Sequence, residues 1–237
     1  MKTAYKQILL VLGVSAFLLV LLLGWYNFTN DVPATPMTTE QSEAEDIVTP
    51  LTPEEQSVTN PENINTMNPT AIMTTNYGVI ELELFADTMP VTAGNFVTLA
   101  EDGYFDGTKF HRVIDGFMIQ GGDPLSKDEG QAARWGTGGP GYTIADEHVA
   151  GELLSNTRGT IAMANSGPNS GGSQFFINVA DNTFLDFDKD PLTSKHPVFG
   201  RVVQGMDVVD TIATVEATPG DRPVEPVVIE SVTITQQ

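Results

Sequence analysis

Short β-rich segments separated by turn-forming residues constrain the fold of this chain more than any other feature. Val79-Ile-Glu-Leu-Glu-Leu-Phe85 alternates apolar and acidic residues, which is the pattern of a strand with one buried face and one face in water. Further β-rich runs recur between clusters of Gly, Pro, Asn and Asp, at Thr160–Ala164, Gln174–Val179, Val198–Val203 and Val227–Thr235. Many short strands of this kind favour a closed antiparallel barrel.

Two segments of the same region carry helical signals. The first begins near Pro90, a residue that suits the first turn of a helix, and Gly103 can end it. The second runs from Met206 to Ala213. One stripe of each helix is expected to face the barrel, with Ala93, Phe96, Val97 and Ala100 in the first and Val208, Val209 and Ile212 in the second. The predicted fold is therefore mainly β, with two helices as plugs.

The N-terminal segment, residues 1–26, is typical of a membrane anchor. Lys2 and Lys6 precede an uncharged apolar run, residues 8–26, whose helical length of about 28 Å matches the ~30 Å hydrocarbon core of a bilayer. The lysines predict a single-pass protein of the cell membrane, with a cytoplasmic N-terminus and the remaining chain on the exported side. The alternative is a signal peptide, whose cleavage would release a secreted or periplasmic protein. Val32-Pro-Ala34 is a weak cleavage site, so the anchor is favoured.

Residues 27–69 are predicted to be a disordered tether. They are rich in Thr, Pro, Asn and Glu, and they hold eight acidic residues but no Lys or Arg. A segment with few large apolar residues and one sign of charge repels itself and cannot form a core. The folded domain is therefore expected to span residues 70–237, where nine basic and 23 acidic residues give a net charge of −14.

Composition excludes several function classes. The whole chain has a net charge of −20, which opposes binding to nucleic acids, and it has no cysteine for disulfides or thiolate chemistry. Its three histidines are far apart in the sequence and do not have the spacing of a metal site. We therefore expect neither a metal nor a cofactor.

Two motifs about fifty residues apart carry the candidate functional residues. They are Phe110-His-Arg-Val-Ile-Asp-Gly-Phe-Met-Ile-Gln-Gly-Gly-Asp123 and Met163-Ala-Asn-Ser-Gly-Pro-Asn-Ser-Gly-Gly-Ser-Gln-Phe-Phe-Ile177. Together they supply one arginine, several side-chain amides and large apolar side chains. Ser166 and Ser173 lack the context of a hydrolytic nucleophile. Such a set suits a reaction that breaks no covalent bond, such as rotation about a prolyl peptide bond.

Both motifs closely resemble the signatures of cyclophilin-type peptidyl-prolyl cis-trans isomerases. A third segment, His196–Val203 followed by Gly205-Met-Asp207, resembles another hallmark of that family. The resemblance covers essentially all of residues 70–237, in order. It implies a closed eight-stranded antiparallel β-barrel capped by two helices, a monomeric domain, and proline-containing polypeptides as substrates.

The resemblance also implies roles for individual residues. Arg112 resembles the catalytic arginine, and the expected substrate-binding residues are Phe117, Met118, Gln120, Gly136, Ala164, Asn165, Gln174, Phe176, Phe184, Leu185 and His196. Phe184 stands where many eukaryotic members have Trp, which implies weak cyclosporin binding with isomerase activity retained. The loop at Phe187–Ser194 is longer than usual in the family.

The sequence therefore predicts a membrane-tethered isomerase that acts on exported, partly folded proteins. The alternative is a cyclophilin-fold module that binds or chaperones proline-containing segments without turnover. Arg112 argues against this alternative, because a module that only binds has no need of a group that stabilises the twisted amide.

Overall fold

The computed structural model describes residues 68–189 and 195–236. The predicted anchor and all but the last two residues of the predicted tether lie outside these ranges. Within the described ranges, no helix is long and apolar enough to cross a membrane. The elements follow in the order β1 (Thr70–Thr75), β2 (Gly78–Leu84), α1 (Pro90–Glu101), β3 (Arg112–Ile114), β4 (Met118–Gly121), β5 (Thr160–Met163), β6 (Phe175–Asn178), β7 (Val198–Gln204), α2 (Met206–Ala213) and β8 (Ile229–Thr235).

The eight strands form one curled antiparallel sheet in the order β3-β4-β6-β5-β7-β2-β1-β8. This confirms the mainly β fold with eight antiparallel strands. The strands form a curled half-barrel rather than the expected closed barrel, with β3 and β8 at the two ends of the strand order. Beside β8 lies the segment before β3, where Gly107 N donates to Ile229 O and Ile229 N donates to Thr108 O, each at 2.8 Å.

The sheet encloses an aromatic core. Phe96 of α1 contacts three other phenylalanine rings at centroid distances of 4.8 to 5.5 Å, those of Phe105, Phe175 and Phe199. All four side chains are at most 1% exposed. Burial of one such ring stabilises the fold by about 1.5–3 kcal/mol, so this cluster is a main source of domain stability.

Strand β2 shows the predicted alternation. Ile80, Leu82 and Leu84 are fully buried. On the other face, Glu83 accepts a hydrogen bond from Arg201 Nε of β7 at 2.8 Å. The acidic residues of this strand therefore lie on the water-facing side of the sheet, as expected.

Helix α1 begins at Pro90 as predicted, but its N-terminus is capped from a distant loop. The preceding residue, Met89, offers no side-chain cap. Instead, the Glu147 carboxylate accepts hydrogen bonds from Val91 N at 3.0 Å and Thr92 N at 2.6 Å. A carboxylate satisfies free N–H groups and interacts favourably with the positive end of the helix dipole. This contact fastens the loop around residue 147 to α1.

The helix stripes differ slightly from prediction. In α1 the buried residues are Thr92, Ala93, Phe96, Leu99 and Ala100, so Leu99 takes the place expected of Val97, which lies half-buried at the edge. In α2 Val209 and Ile212 are buried as predicted, whereas Val208 is half-buried. Gly103 follows α1 with a φ of +65°, and this left-handed conformation ends the helix as expected.

Candidate active site

A row of paired residues across three strands forms the floor of the candidate site. Arg112 of β3 lies opposite Gln120 of β4, and Gln120 lies opposite Phe176 of β6. Directly opposed residues share one face of a sheet. The sheet register therefore places the arginine, an amide and an apolar ring side by side.

A cavity of about 310 Å³ opens over this row. Nine of the twelve residues predicted from the sequence line it: Arg112, Phe117, Met118, Gln120, Ala164, Asn165, Phe176, Leu185 and His196. Gly136 and Gln174 line a neighbouring cavity of about 460 Å³, which shares Gln120, Ala164 and Asn165 with the first. The motifs thus meet in one continuous groove.

The first cavity has an apolar, rigid base. Met118 is 2% exposed and Phe176 is 4% exposed, whereas Phe117 and Leu185 form half-buried walls. Phe184, expected to take part in substrate binding, lies outside the lining. Its ring is 56% exposed and stacks on Phe117 at a centroid distance of 6.0 Å. An apolar base with polar groups at its edge suits a small apolar ring such as that of proline.

Arg112 stands at the polar edge of this cavity. Its Nε donates to Asp221 Oδ2 at 3.3 Å, and the side chains of both residues are 42% exposed. The guanidinium is therefore accessible from the groove. Asp221 belongs to none of the motifs, and sequence reasoning missed it.

Two glutamines join the cavities. Gln120 Nε2 donates to Gln174 Oε1 at 3.0 Å, and Gln174 Nε2 donates to Gly138 O at 2.8 Å. Gly138 and Gly136 in turn donate their backbone N–H groups to the buried Asp123 carboxylate. Asp123 thereby fixes the glycine loop that borders the second cavity.

Asn165 and His196 are held by backbone groups. Asn165 Nδ2 donates to Lys195 O at 2.7 Å, and His196 Nδ1 lies 3.0 Å from Met163 O. A carbonyl only accepts hydrogen bonds, so Nδ1 carries the proton. Burial lowers the pKa of His196, and the hydrogen bond to Met163 offsets this only in part. The imidazole is therefore neutral at pH 7.

Three buried asparagines support the wall of the cavity and were also missed. Asn182 Nδ2 donates to Phe117 O and to Asn178 Oδ1, both at 2.8 Å. Asn178 Nδ2 donates to Asn156 Oδ1 at 3.2 Å, and Asn156 donates to the Asp186 carboxylate. This network holds the turn that carries Leu185.

The long loop starting at Phe187 does not displace the site residues on either side. His196 N donates to Leu185 O at 3.2 Å, which brings the two ends of the loop together. Residues 190–194 of the loop lie outside the described ranges.

Comparison with known proteins agrees with the fold. The family described as cyclophilin type peptidyl-prolyl cis-trans isomerase/CLD matches residues 70–234. Peptidyl-prolyl cis-trans isomerase CYP18-1 of Arabidopsis thaliana is 42% identical over 160 residues, which cover 68% of this chain and 92% of the relative. Peptidyl-prolyl cis-trans isomerase-like 2 of Cryptococcus neoformans is 43% identical over 168 residues, but this chain covers 70% of its own length and 27% of that larger protein.

A solved structure shows the same architecture. The crystal structure of a cyclophilin-type peptidyl-prolyl cis-trans isomerase of Cryptosporidium parvum, obtained in the presence of the dipeptide Ala-Pro, has a TM-score of 0.60 and 30% identity, and the match covers 71% of this chain and 99% of that one. The curled antiparallel sheet has the fold of that prolyl isomerase. The chain belongs to the cyclophilin-type peptidyl-prolyl cis-trans isomerase family, which confirms the family and the enzyme class expected from the motifs.

Proposed function

We propose that this domain accelerates rotation about X–Pro bonds in exported, partly folded polypeptides, with Arg112 as its catalytic residue. The observation that carries this proposal is that Arg112 lines the same cavity as the apolar side chains of Met118 and Phe176. Arg112 and Phe176, which forms part of the cavity base, belong to one row of opposed strand residues, so the sheet sets their relative position.

The reaction needs only the twisted amide to be stabilised. Resonance gives the peptide C–N bond a rotation barrier of ~18–20 kcal/mol. The cis and trans forms of an X–Pro bond are close in energy, yet they exchange in tens to hundreds of seconds without a catalyst. In the twisted state the prolyl nitrogen regains its lone pair and becomes a hydrogen-bond acceptor. A donor fixed beside that nitrogen binds the transition state more tightly than either planar ground state.

Arg112 suits this role. Its guanidinium is always charged and presents rigid donors. The apolar side chains of the cavity bind the proline ring. Asn165, which lines the same cavity, binds the substrate backbone on one side of the rotating bond. The neutral His196 at the rim adds no second positive charge that would compete with Arg112. The mechanism requires no proton transfer, nucleophile or metal.

The assignment to exported substrates is supported by the sequence upstream of the domain. The apolar run at residues 8–26 follows two lysines, and an acidic segment separates it from the domain. We propose that residues 8–26 hold the enzyme on the membrane with the isomerase domain on the exported side. Intact-mass analysis of the exported protein tests this against cleavage, because cleavage removes the apolar run.

Exchange spectroscopy tests the catalytic proposal. Cis/trans exchange of a short X–Pro peptide is followed by NMR with the full chain, its Arg112→Ala variant and an Arg201→Ala control. Arg201 is also an exposed strand arginine paired with one carboxylate, but it does not line the cavity. We expect Arg112→Ala to lose activity on the order of 10²-fold or more, and Arg201→Ala to keep it. A parent protein that binds the peptide without accelerating exchange would support the binding module instead.

A further inference from the structure

We infer that Asp221 is a positioning residue for Arg112, which holds the guanidinium in the orientation that catalysis requires. This inference rests on the proposed catalytic role of Arg112. Asp221 lies 109 residues from Arg112 in sequence and contacts it through one charge-assisted hydrogen bond, from Nε to Oδ2 at 3.3 Å.

The hydrogen bond to Asp221 uses only one of the three guanidinium nitrogens of Arg112. Asp221 occupies Nε, and Arg112 makes no other side-chain hydrogen bond within residues 68–189 and 195–236. Both Nη nitrogens therefore stay available to a substrate. An arginine side chain has several freely rotating bonds, so a partner at Nε reduces the number of orientations before the substrate arrives.

Asp221 is itself held firmly at the tip of a hairpin. Asp221 N donates to Thr218 O at 2.9 Å, and Thr218 N donates to Arg222 O at 2.8 Å. The backbone carbonyl of Asp221 accepts a hydrogen bond from Val113 N at 2.8 Å. Asp221 thus binds two consecutive residues of β3, one through its side chain and one through its backbone.

The backbone of Asp221 adopts a left-handed conformation with φ +63°. Among the described residues other than glycine, Asn169 alone shares a positive φ. Such conformations are uncommon for residues with a side chain, and they cluster where function requires an unusual geometry. A glycine would relieve the strain at this position but would not reach Arg112.

A second contact holds the hairpin. The Trp135 ring contacts two cations, with Lys109 Nζ 5.2 Å and Arg222 Cζ 5.6 Å from its centroid. The residue next to Asp221 is therefore fastened to the loop that leads into Gly136. The carboxylate that reaches Arg112 belongs to a supported segment rather than to a free loop.

A stabilising role does not account for the ion pair between Arg112 and Asp221, because exposed ion pairs contribute little to the free energy of unfolding. The chain offers a control of similar exposure in Arg158–Asp210, whose two side chains are both 45% exposed and are joined by two hydrogen bonds at 2.7 and 2.8 Å. If Asp221 acts through Arg112, its replacement should affect catalysis, whereas replacement of Asp210 should not.

The test compares Asp221→Asn, Asp221→Gly and Asp210→Asn with the parent chain. Asn tolerates a left-handed backbone and keeps an acceptor near Nε without the charge, whereas Gly keeps the backbone conformation and removes the side chain. NMR gives the exchange rate of the bound X–Pro peptide, its dissociation constant and the signal of the Arg112 Nε–H group. Circular dichroism checks that each variant is folded.

We expect Asp221→Gly to slow bound-state exchange about tenfold, because a misoriented catalytic group loses rate without losing binding. Peptide affinity should change less than twofold, and the Arg112 Nε–H signal should lose its protection from solvent. Asp221→Asn should keep that signal and lose about threefold in rate, the difference between a charge-assisted and a neutral acceptor. Asp210→Asn should match the parent.

Three results would overturn the inference. One is an Asp221→Gly variant within twofold of the parent in bound-state exchange. Another is a loss of peptide affinity with an unchanged exchange rate, which would mean that Asp221 maintains the shape of the groove rather than the orientation of Arg112. The third is an Asp221→Asn variant faster than the parent, which would mean that the carboxylate weakens Arg112 as a donor. A parent chain without catalysis would instead reject the proposed function, so the two failures are distinguishable.

Discussion

Asn182 donates a hydrogen bond from Nδ2 to the backbone carbonyl of Phe117 at 2.8 Å, and this bond ties the wall of the proline cavity to a buried network. Asn182 is 3% exposed, so water does not replace the bond when it is lost. This hydrogen bond explains how the exposed turn just before Phe117 keeps a defined position beside the groove.

Replacement of Asn182 by Ala should therefore damage both stability and substrate binding. The buried Asn178 Oδ1 would lose the donor Asn182 Nδ2, which costs about 1–3 kcal/mol, whereas Phe117 O would keep its hydrogen bond from Val179 N. Urea unfolding measures the stability, and titration with an X–Pro peptide measures the affinity. Asn76→Ala is the control, because Asn76 also bonds backbone groups but does not line the cavity. Unchanged peptide affinity in Asn182→Ala would contradict the role of the network.

The pH dependence of stability follows from two histidines, the buried His111 and the half-buried His196. Burial lowers the pKa of both His196 and His111. The unfolded chain therefore binds more protons than the folded chain below the ordinary histidine pKa of ~6.5. The free energy of unfolding should be fully retained above that pH and should fall as the pH drops from about 6.5 through the lowered pKa values.

Urea unfolding between pH 7.5 and pH 5 measures this effect, and His196→Gln isolates one of its sources. The variant should lose less stability on acidification than the parent does. The exposed His148 supplies a control, because a His148→Gln variant removes a histidine that is not buried. A His196 that titrates above pH 6.5 by NMR would contradict the account.

The distant cap of α1 makes a third prediction. Glu147→Gln keeps the shape of the side chain but removes the charge that two backbone N–H groups share. We expect a loss of about 1 kcal/mol, which corresponds to about 2–4 °C in the melting temperature of a domain of this size. Glu152→Gln is a suitable control, since Glu152 is exposed and lies in a short 3-10 turn. Equal melting temperatures for both variants would show that the cap contributes nothing.

Phe184 offers a fourth prediction, on cyclosporin binding. Its ring stacks on Phe117 and is 56% exposed, so the larger indole ring of Trp fits without disturbing the core. Phe184→Trp should bind cyclosporin on the order of tenfold more tightly, since the indole adds apolar contact and an N–H donor. Calorimetry measures the affinity, and peptide exchange by NMR should remain unchanged. Equal affinity in both proteins would mean that this position does not limit binding.

The sequence predicted strands best where burial follows a strict alternation. In β2 Ile80, Leu82 and Leu84 point inward and the acidic residues point outward, and the prediction was confirmed. Strand β1 was not predicted because its burial does not strictly follow side-chain polarity: Thr75 is buried, whereas the larger, apolar Ile72 is only half-buried. That arrangement depends on the neighbouring strands β2 and β8, which local sequence does not reveal.

The site shows the same limit. Its lining was predictable because most of those residues fall in two motifs. The roles of Asp221 and Asn182 were not predictable. Each contacts a groove residue that is distant in sequence, and neither lies in a sequence pattern with a local physical signal. Supporting contacts of this kind depend on tertiary structure, whereas motif residues are visible in the sequence itself.

The most direct test of the central claim is the cis/trans exchange rate of an X–Pro peptide bound to the full chain, compared with the rate on Arg112→Ala. The account predicts fast exchange on the parent and a loss on the order of 10²-fold or more in the variant, with both proteins folded. Equal rates on the two proteins would show that the Arg112 guanidinium does not stabilise the twisted amide.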